Sequence, residues 1–234
     1  MYIYGYHPCK AALANPSRII EKIYITDEKI LSSLNYNVNN KIEIINSKTL
    51  ERKLPEGAIH QGITLLVQPF NYKDIHFLEN DSTLNQCVLL LDQVCDPHNI
   101  GAILRSSAVF GAKALIVTDR HAPKESGVIA KSACGALEIT PLCYVKNLAQ
   151  TIEQLKMMNY WCIGFSEMGD QTFEKIDLKG KIALILGSEG EGIRQKTKSL
   201  CDFHVRLPTT DLFSTLNVSN AAAIALYEVF KCQN

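Results

Sequence analysis

Apolar runs alternating with helical patterns fill the C-terminal part of this 234-residue sequence, and this alternation limits the possible folds more than any other feature. The first run, 87–91, is apolar throughout, which is typical of a strand buried on both faces of a parallel sheet. The alternation predicts an α/β fold in which helices cover both faces of a largely parallel sheet. The strand-like runs are 87–91, 114–117, 161–165, 182–186 and 203–207, and the helical patterns are 99–110, 126–133, 148–158, 193–200 and 218–230.

The N-terminal residues have shorter patterns that predict a separate, small α/β unit. Strand-like runs at 22–26, 42–45 and 63–67 are interspersed with helical patterns at 8–13, 28–34 and 47–54, the last capped by Ser47. No sustained period follows until residue 86. We therefore predict a small α/β domain over residues 1–68, a linker over 69–85 and a second domain over 86–234.

Composition excludes several classes of protein. The 24 basic and 24 acidic residues cancel, so an RNA-binding surface would have to be a local patch. No apolar run approaches the roughly 20 residues of a membrane helix, and the N-terminus does not resemble a signal peptide. These features predict a cytoplasmic protein without a membrane partner.

Eight cysteines raise the question of metal binding or disulfides. They form no Cys-x-x-Cys pair, and no histidine lies at a zinc-ligand spacing. Several lie in or beside apolar runs, so we expect reduced, buried thiols and no metal site.

Ligands of parallel α/β folds bind in the loops at the carboxyl ends of the strands. Among those loops, 187–192 contains three glycines but lacks the order of a dinucleotide or triphosphate loop. Glu189 and Glu191 would repel a phosphate held by backbone amides. The loop therefore suits a ligand with adenosine and a sulfonium, and a tight, exposed turn is the alternative. The other strand-end loops are 92–99, 118–121 and 208–217.

Residues flanking these loops could have ordinary structural roles as well as functional ones. Arg105 lies opposite the apolar stripe of its helix, where it faces either solvent or a ligand. Asn99 could simply be the N-cap of that helix, as could Asn217 or Ser219 for the alanine-rich helix that follows. That last helix could be only a buried C-terminal element.

Three segments together resemble the motifs of the SpoU class of RNA ribose methyltransferases in the SPOUT superfamily. The segments are Asn99-Ile-Gly-Ala-Ile-Leu-Arg105-Ser, Leu186-Gly-Ser-Glu189-Gly-Glu-Gly192 and Leu216-Asn217-Val-Ser-Asn-Ala-Ala-Ala. They occur in the family's order and at similar separations. The segments Gly5-x-His7 and His60-Gln61-Gly62 are similar to the RNA-binding substrate domain of a bacterial subfamily that methylates guanosine in 23S rRNA.

The resemblance implies transfer of a methyl group from S-adenosyl-L-methionine to a ribose 2′-hydroxyl by a homodimer. It also implies a C-terminal trefoil knot, although chains rarely thread in this way. One departure from the family is Thr215, where relatives usually have serine. The implied site residues are Asn99, Arg105, Glu189 and Asn217 for catalysis, Gly187, Leu207, Leu216 and Thr118 for the cofactor, and His7, His60, Arg120 and Lys124 for RNA.

Several alternatives remain at this point. The substrate could be tRNA, and the chain could be a non-catalytic RNA-binding relative or, less consistently with its glycine loop, a dinucleotide oxidoreductase. His7 and His60 could be turn or core residues. Arg105 could act as the base, as proposed in the family, or could bind a phosphate or a developing alkoxide. Further candidates for contacts with the RNA backbone are Arg18, Lys22, Lys113 and Lys131.

Overall fold

The computed structural model describes residues 1–34, 41–70, 72, 74–167, 169–210, 212 and 215–234. An N-terminal unit contains a small sheet with strand order β1-β4-β2-β3, in which only β2 and β3 pair in parallel. Its elements are β1 (Tyr2–Tyr4), α1 (Tyr6–Ala14), β2 (Ile20–Ile25), α2 (Lys29–Leu34), β3 (Ile42–Ile44), α3 (Ser47–Glu51) and β4 (Ile63–Val67).

A C-terminal unit is built on a parallel sheet with strand order β10-β8-β9-β5-β6-β7. The predicted α/β fold with a parallel sheet and a small N-terminal α/β part is therefore confirmed. The elements are β5 (Gln86–Asp92), α4 (Pro97–Val109), β6 (Ala114–Thr118), α5 (Gly127–Ala133), β7 (Leu142–Val145), α6 (Leu148–Met157), β8 (Tyr160–Phe165), β9 (Lys181–Gly187), α7 (Gln195–Lys198), β10 (Phe203–Val205) and α8 (Val218–Gln233).

The core lies on both faces of the parallel sheet, and β5 is buried along its whole length. Alternate residues of β5 explain this, because Leu89 and Leu91 pack with α4, α5 and α8, whereas Val88 and Leu90 pack with α6. The uninterrupted apolar run of β5 is thus the consequence of helices on two sides.

Two short strands and several helix boundaries differ from the sequence predictions. Strands β1 and β7 were not predicted, since each has too few residues to establish a period. The side chain of Asn46, rather than that of Ser47, caps α3 by accepting from Thr49 N at 2.9 Å. Helix α3 ends at Glu51, because Leu54 precedes Pro55 and that position disfavours helical geometry.

The predicted linker is packed against the C-terminal unit in the part that is described. Ile75 and Leu78 are buried in the core on the α6 side, and the backbone of Tyr72 accepts from Tyr144 N at 2.8 Å. Asn71 and Lys73 lie outside the described residues. The described helices include none long and apolar enough to cross a membrane.

Candidate active site at the carboxyl edge of the parallel sheet

The switch point of the parallel sheet lies between β5 and β9, since the connection after β5 leads to β6 on one side and that after β9 leads towards β10 on the other. Asp92 pairs with Gly187 in register, and Thr118 ends the adjacent strand β6. A crevice outside such carboxyl ends is the usual ligand site of open α/β sheets. Three of the four predicted catalytic residues, Asn99, Glu189 and Asn217, meet there.

Hydrogen bonds join Asn99, Glu189 and Asn217 directly. Asn217 Nδ2 donates to Glu189 Oε1 at 2.7 Å and to Asn99 Oδ1 at 3.1 Å, and Asn99 Nδ2 lies 3.4 Å from the same Glu189 oxygen. These residues come from three segments far apart in sequence. The resulting group, called here the Asn99–Glu189–Asn217 cluster, presents two amides and one carboxylate to solvent.

Helix N-termini hold this cluster in place. Asn217 is the N-cap of α8, as predicted, because its Oδ1 accepts from Ser219 N at 2.9 Å. Glu189 Oε1 lies 3.5 Å from Val218 N, where a carboxylate is favoured by the helix dipole. Asn99 is not the N-cap of α4, since the side chain of Asp96 caps it and Pro97 is its first residue. Asn99 is therefore free to contact the other two residues.

A buried ion pair that sequence reasoning missed fixes the end of the glycine loop. Asp92 is fully buried, and its Oδ1 accepts from Arg194 Nε at 2.8 Å and Nη2 at 2.7 Å. Asp92 Oδ2 accepts from Arg194 N at 3.1 Å. The turn itself closes through Gly192 N and Ser188 O at 2.9 Å. The position of Asp92 at the end of a strand indicates a residue near the site. Nothing in the sequence distinguishes Arg194 from an ordinary surface arginine.

Glycines give the loop its shape. A side chain at position 187 would place its Cβ 1.9 Å from the carbonyl carbon of Gly192, so only glycine allows the two ends of the loop to meet. Gly190 and Gly192 have positive φ angles of 85° and 67°, with open space where a Cβ would lie. The backbone on the outer side of the loop is therefore accessible to a ligand.

The other predicted cofactor residues flank this region. Thr118 is buried at the end of β6. Leu207 is partly buried after β10, and Leu216 is exposed immediately before Asn217. Asp211, Phe213 and Ser214, which belong to the predicted loop 208–217, lie outside the described residues.

Arg105 is not part of the cluster. Its side chain is exposed on α4, as the apolar stripe predicted, and makes no hydrogen bond or ion pair with the residues that the structure describes. Six residues separate it from Asn99, which is about 9 Å along the helix axis and a rotation of about 120°. Arg105 therefore points to a different part of the surface.

The four predicted RNA-binding residues differ in their exposure and in their partners within the protein. His7 is exposed beside the ring of Tyr6, and Arg120 is exposed after β6. Lys124 pairs with Asp119, and its ammonium lies 5.1 Å from the ring centroid of Tyr144. His60 Nδ1 accepts from Gly62 N at 3.0 Å, so this ring stabilises the turn before β4.

Arg18 was wrongly predicted as a candidate RNA contact. Its side chain is buried against Glu125 and Glu138, whose sequence distance from Arg18 hid the pairing. Lys22 and Lys113 form ion pairs with Glu43 and Asp81, and Lys131 Nζ donates to Gln61 Oε1 at 3.1 Å. Partners within the protein therefore engage each of these lysines.

The cysteines are free thiols, but not all of them are buried. Burial raises the pKa of Cys87 and Cys143 to about 12, as expected of small apolar core residues. Cys95 and Cys232 are exposed, contrary to the general expectation of buried thiols.

Comparison with known proteins identifies the class to which this fold and site belong. The model of the SpoU rRNA methylase family matches residues 86–227, and a model described as RNA 2′-O ribose methyltransferase substrate binding matches residues 2–73. The chain belongs to the SpoU family of RNA 2′-O-ribose methyltransferases. The resemblance of the three motifs is thus confirmed.

Similar proteins match over nearly their whole length. The 23S rRNA (guanosine-2′-O-)-methyltransferase RlmB of Pasteurella multocida is 38% identical over 240 residues, which cover 98% of this chain and 97% of that protein. RlmB of Escherichia coli K12 is 35% identical over 241 residues, with the same coverage.

Solved structures support the fold. The SpoU methyltransferase AviRb from Streptomyces viridochromogenes, in complex with the cofactor AdoMet, has a TM-score of 0.86 at 22% identity and covers 99% of this chain and 89% of its own. The TrmH/SpoU tRNA modifying enzyme of A. aeolicus has a TM-score of 0.57 at 21% identity over 67% of this chain and 81% of its own.

Proposed function

We propose that this protein transfers a methyl group from S-adenosyl-L-methionine to the ribose 2′-hydroxyl of a guanosine in 23S rRNA. The observation that carries the proposal is the Asn99–Glu189–Asn217 cluster at the switch point of the sheet. The choice of substrate rests on the RlmB relatives, which match both units of the chain. The cytoplasm is the expected location of a protein that acts on bacterial ribosomal RNA.

The glycine loop fits S-adenosyl-L-methionine better than a phosphate-containing cofactor. Glu189 and Glu191 make the loop acidic, which favours a sulfonium over a phosphate. We propose that the accessible backbone of 187–192, together with Leu207 and Leu216, binds the adenosine part, and that Thr118 limits the site at β6. When bound, the cofactor supplies an electrophilic methyl group.

The cluster has the groups needed to position the nucleophile. The reaction forms a bond between the ribose 2′-oxygen and the methyl carbon, breaks the carbon–sulfur bond and releases the hydroxyl proton. Amide groups of Asn99 and Asn217 can orient the 2′-oxygen, and both lie near the positive ends of helices α4 and α8. Glu189 holds the two amides in register.

Arg105 is proposed to act on the RNA rather than within the cluster. Its side chain is exposed, and the guanidinium is suited to two-point binding of a phosphate. A phosphate next to the target ribose would be fixed in this way, and the developing negative charge on the 2′-oxygen would be stabilised. Loss of the proton to water or another acceptor avoids the need for a deprotonated arginine.

The N-terminal unit is proposed to bind RNA, with domain boundaries at 1–68, 69–85 and 86–234. His7 in this unit and Arg120 in the C-terminal unit are exposed, so both can contact RNA directly. For His60 we propose that the ring shapes the turn 60–62, which then contacts RNA through neighbouring groups. Lys124 would have to exchange Asp119 for a phosphate.

A homodimer is proposed from an exposed apolar face on α4 and α8. Val109 is 67% exposed, and Ile224, Tyr227 and Phe230 are 39%, 48% and 39% exposed. The ring of Phe110 contacts those of Tyr227 and Phe230 at centroid distances of 5.9 and 5.8 Å. A second copy of the chain would cover this face, and light scattering would measure the mass.

A trefoil knot is proposed from close backbone contacts around β10. The segment after β8 pairs with 204–206, through Ser166 N and Val205 O at 2.9 Å and Arg206 N and Gln171 O at 2.9 Å. A Cβ at Gly169 would lie 2.5 Å from the carbonyl carbon of Val205, so the two backbones are in close contact. This close contact supports the proposal of a threaded chain.

Methyl transfer in vitro tests the proposed function. Purified protein and labelled S-adenosyl-L-methionine are incubated with unmethylated 23S rRNA and, separately, with unmethylated tRNA. We expect label in 23S rRNA with the wild-type protein and no label with the Glu189→Ala variant. Label only in tRNA would favour the alternative of a tRNA methyltransferase. If calorimetry detects no binding of S-adenosyl-L-methionine, a non-catalytic RNA-binding protein would be favoured.

A further inference from the structure

Arg18 is a buried cation that joins the N-terminal unit to the C-terminal unit. Its side chain is 0% exposed, and those of Glu125 and Glu138 are 4% and 5% exposed. Arg18 Nη1 lies 2.8 Å from Glu125 Oε1, and Nη2 lies 2.7 Å from Glu138 Oε1. Arg18 Nε lies 3.0 Å from each oxygen of Glu138. These three residues are called the Arg18 clamp.

The groups around the clamp satisfy the remaining polar atoms. Glu125 Oε2 accepts from Phe70 N at 2.8 Å, and Glu138 Oε2 accepts from Asn15 Nδ2 at 2.9 Å. Arg18 Nη1 also donates to Gln68 O at 3.0 Å, and its guanidinium carbon lies 3.6 Å from the ring centroid of Phe70. Both carboxylates of the C-terminal unit are thus bound by residues 15–70, a geometry that a small rotation of either unit would break.

Backbone packing between the units is equally close. At Gly127, the first residue of α5, a Cβ would lie 2.4 Å from the carbonyl oxygen of Tyr2 in β1. At Gly135 a Cβ would lie 2.8 Å from Cβ of Ala11 in α1. Larger residues at these two positions would separate the units.

Helix α5 also connects the N-terminal unit with the active site. On one side, Lys131 Nζ donates to Gln61 Oε1, which also accepts from Tyr6 N at 3.0 Å. On the other side, Ser132 Oγ lies 3.1 Å from Nδ1 of His98, the neighbour of Asn99. The orientation of the N-terminal unit on α5 therefore determines where its 60–62 turn lies relative to the cluster.

We propose that the Arg18 clamp positions the RNA-binding unit, holding it in one orientation so that bound RNA presents its target ribose to the Asn99–Glu189–Asn217 cluster. The inference rests on the proposed function. Arg18, Glu125 and Glu138 are positioning residues that do not contact RNA or cofactor. Loss of the clamp removes directional contacts between the units and leaves their apolar packing, so the N-terminal unit can rotate and the bound RNA must be oriented anew at each encounter.

The test uses the full-length triple variant Arg18→Met, Glu125→Gln, Glu138→Gln, which removes the clamp without leaving a buried charge unpaired. The matched control is Lys156→Met, Asp202→Asn, which neutralises a partly exposed ion pair within the C-terminal unit. For the triple variant we expect a larger radius of gyration in X-ray scattering and faster proteolysis between residues 69 and 85. Its KM for 23S rRNA should rise about tenfold or more, while cofactor affinity by calorimetry stays within about twofold of wild type.

The proposal would be overturned if the triple variant had the same radius of gyration, the same rate of proteolysis and the same KM as the wild-type protein. If the triple variant does not fold, Arg18→Lys provides the second test, because an ammonium keeps the buried positive charge but cannot reproduce the contacts of the guanidinium with both carboxylates. It should give the same three changes, and wild-type values would again contradict the proposal. If the wild-type protein methylates no RNA, the proposed function fails, whereas scattering and proteolysis still decide whether the clamp holds the units together.

Discussion

Asn217 Nδ2 donates a 2.7 Å hydrogen bond to Glu189 Oε1, while Oδ1 of the same amide caps helix α8. One side chain thus has a proposed catalytic role and a structural role, and two substitutions separate them. Asn217→Ser keeps a good N-cap but lacks the amide donor, so we expect nearly unchanged thermal stability and about 100-fold slower methyl transfer. Asn217→Ala should lose about 1 kcal/mol of unfolding free energy as well. Wild-type turnover in Asn217→Ser would contradict a role of the amide.

Arg105 allows a test of how the guanidinium acts. If its role is two-point binding of a phosphate, Arg105→Lys should raise KM for RNA and reduce kcat/KM by about 10-fold or more, because an ammonium binds as a point charge. Cofactor affinity by calorimetry should remain that of wild type. Near-normal methylation by the lysine variant would exclude any role that requires the guanidinium itself.

Asp92 and Arg194 stabilise the glycine loop through a pair in which only the carboxylate is fully buried. Arg194→Gln leaves that carboxylate without its partner, so we expect a loss of about 2–3 kcal/mol in unfolding free energy and weaker cofactor binding. The double variant Asp92→Asn, Arg194→Gln removes the uncompensated charge and should recover much of the stability. Unchanged denaturation and cofactor titrations in Arg194→Gln would contradict this role.

The lowered pKa of Asp81 predicts how the stability of the folded protein depends on pH. Contacts with Lys113 and Thr83 hold the pKa of Asp81 well below its ordinary value of 3.8. A carboxyl whose pKa is lowered on folding stabilises the folded state above its unfolded pKa and loses this contribution as the pH falls. The difference in melting temperature between wild type and Asp81→Asn should therefore be full near pH 7 and shrink below about pH 4. A difference that grows in acid would contradict the pairing.

Features with a local cause could be predicted from the sequence. The strand β5 was predicted because burial on two faces leaves an uninterrupted apolar run, and Arg105 was placed on the exposed face by helical periodicity. The first turn of α4 was missed although Asp96-Pro97 is an ordinary cap followed by an N1 proline. Asp96 and Pro97 therefore already indicate the start of α4 in the sequence.

Contacts between distant segments could not be predicted in the same way. Asn99 and Asn217 are 118 residues apart, and the family motifs suggested a common site without specifying the hydrogen bonds. Arg18 was expected on the surface because charged residues usually are, yet its partners follow 107 and 120 residues later. Tertiary pairing alone determines whether such a charge is solvated or buried.

Ribose methylation of 23S rRNA by this protein can be measured in cells by mapping 2′-O-methylated nucleotides in the presence and absence of the protein. Both 23S rRNA and tRNA are mapped, and the cells lacking the protein are complemented with either wild type or Glu189→Ala. We expect one 23S rRNA guanosine whose methylation disappears without the protein and returns only with the wild-type protein. Identical methylation of both RNA pools in all the cells would contradict it.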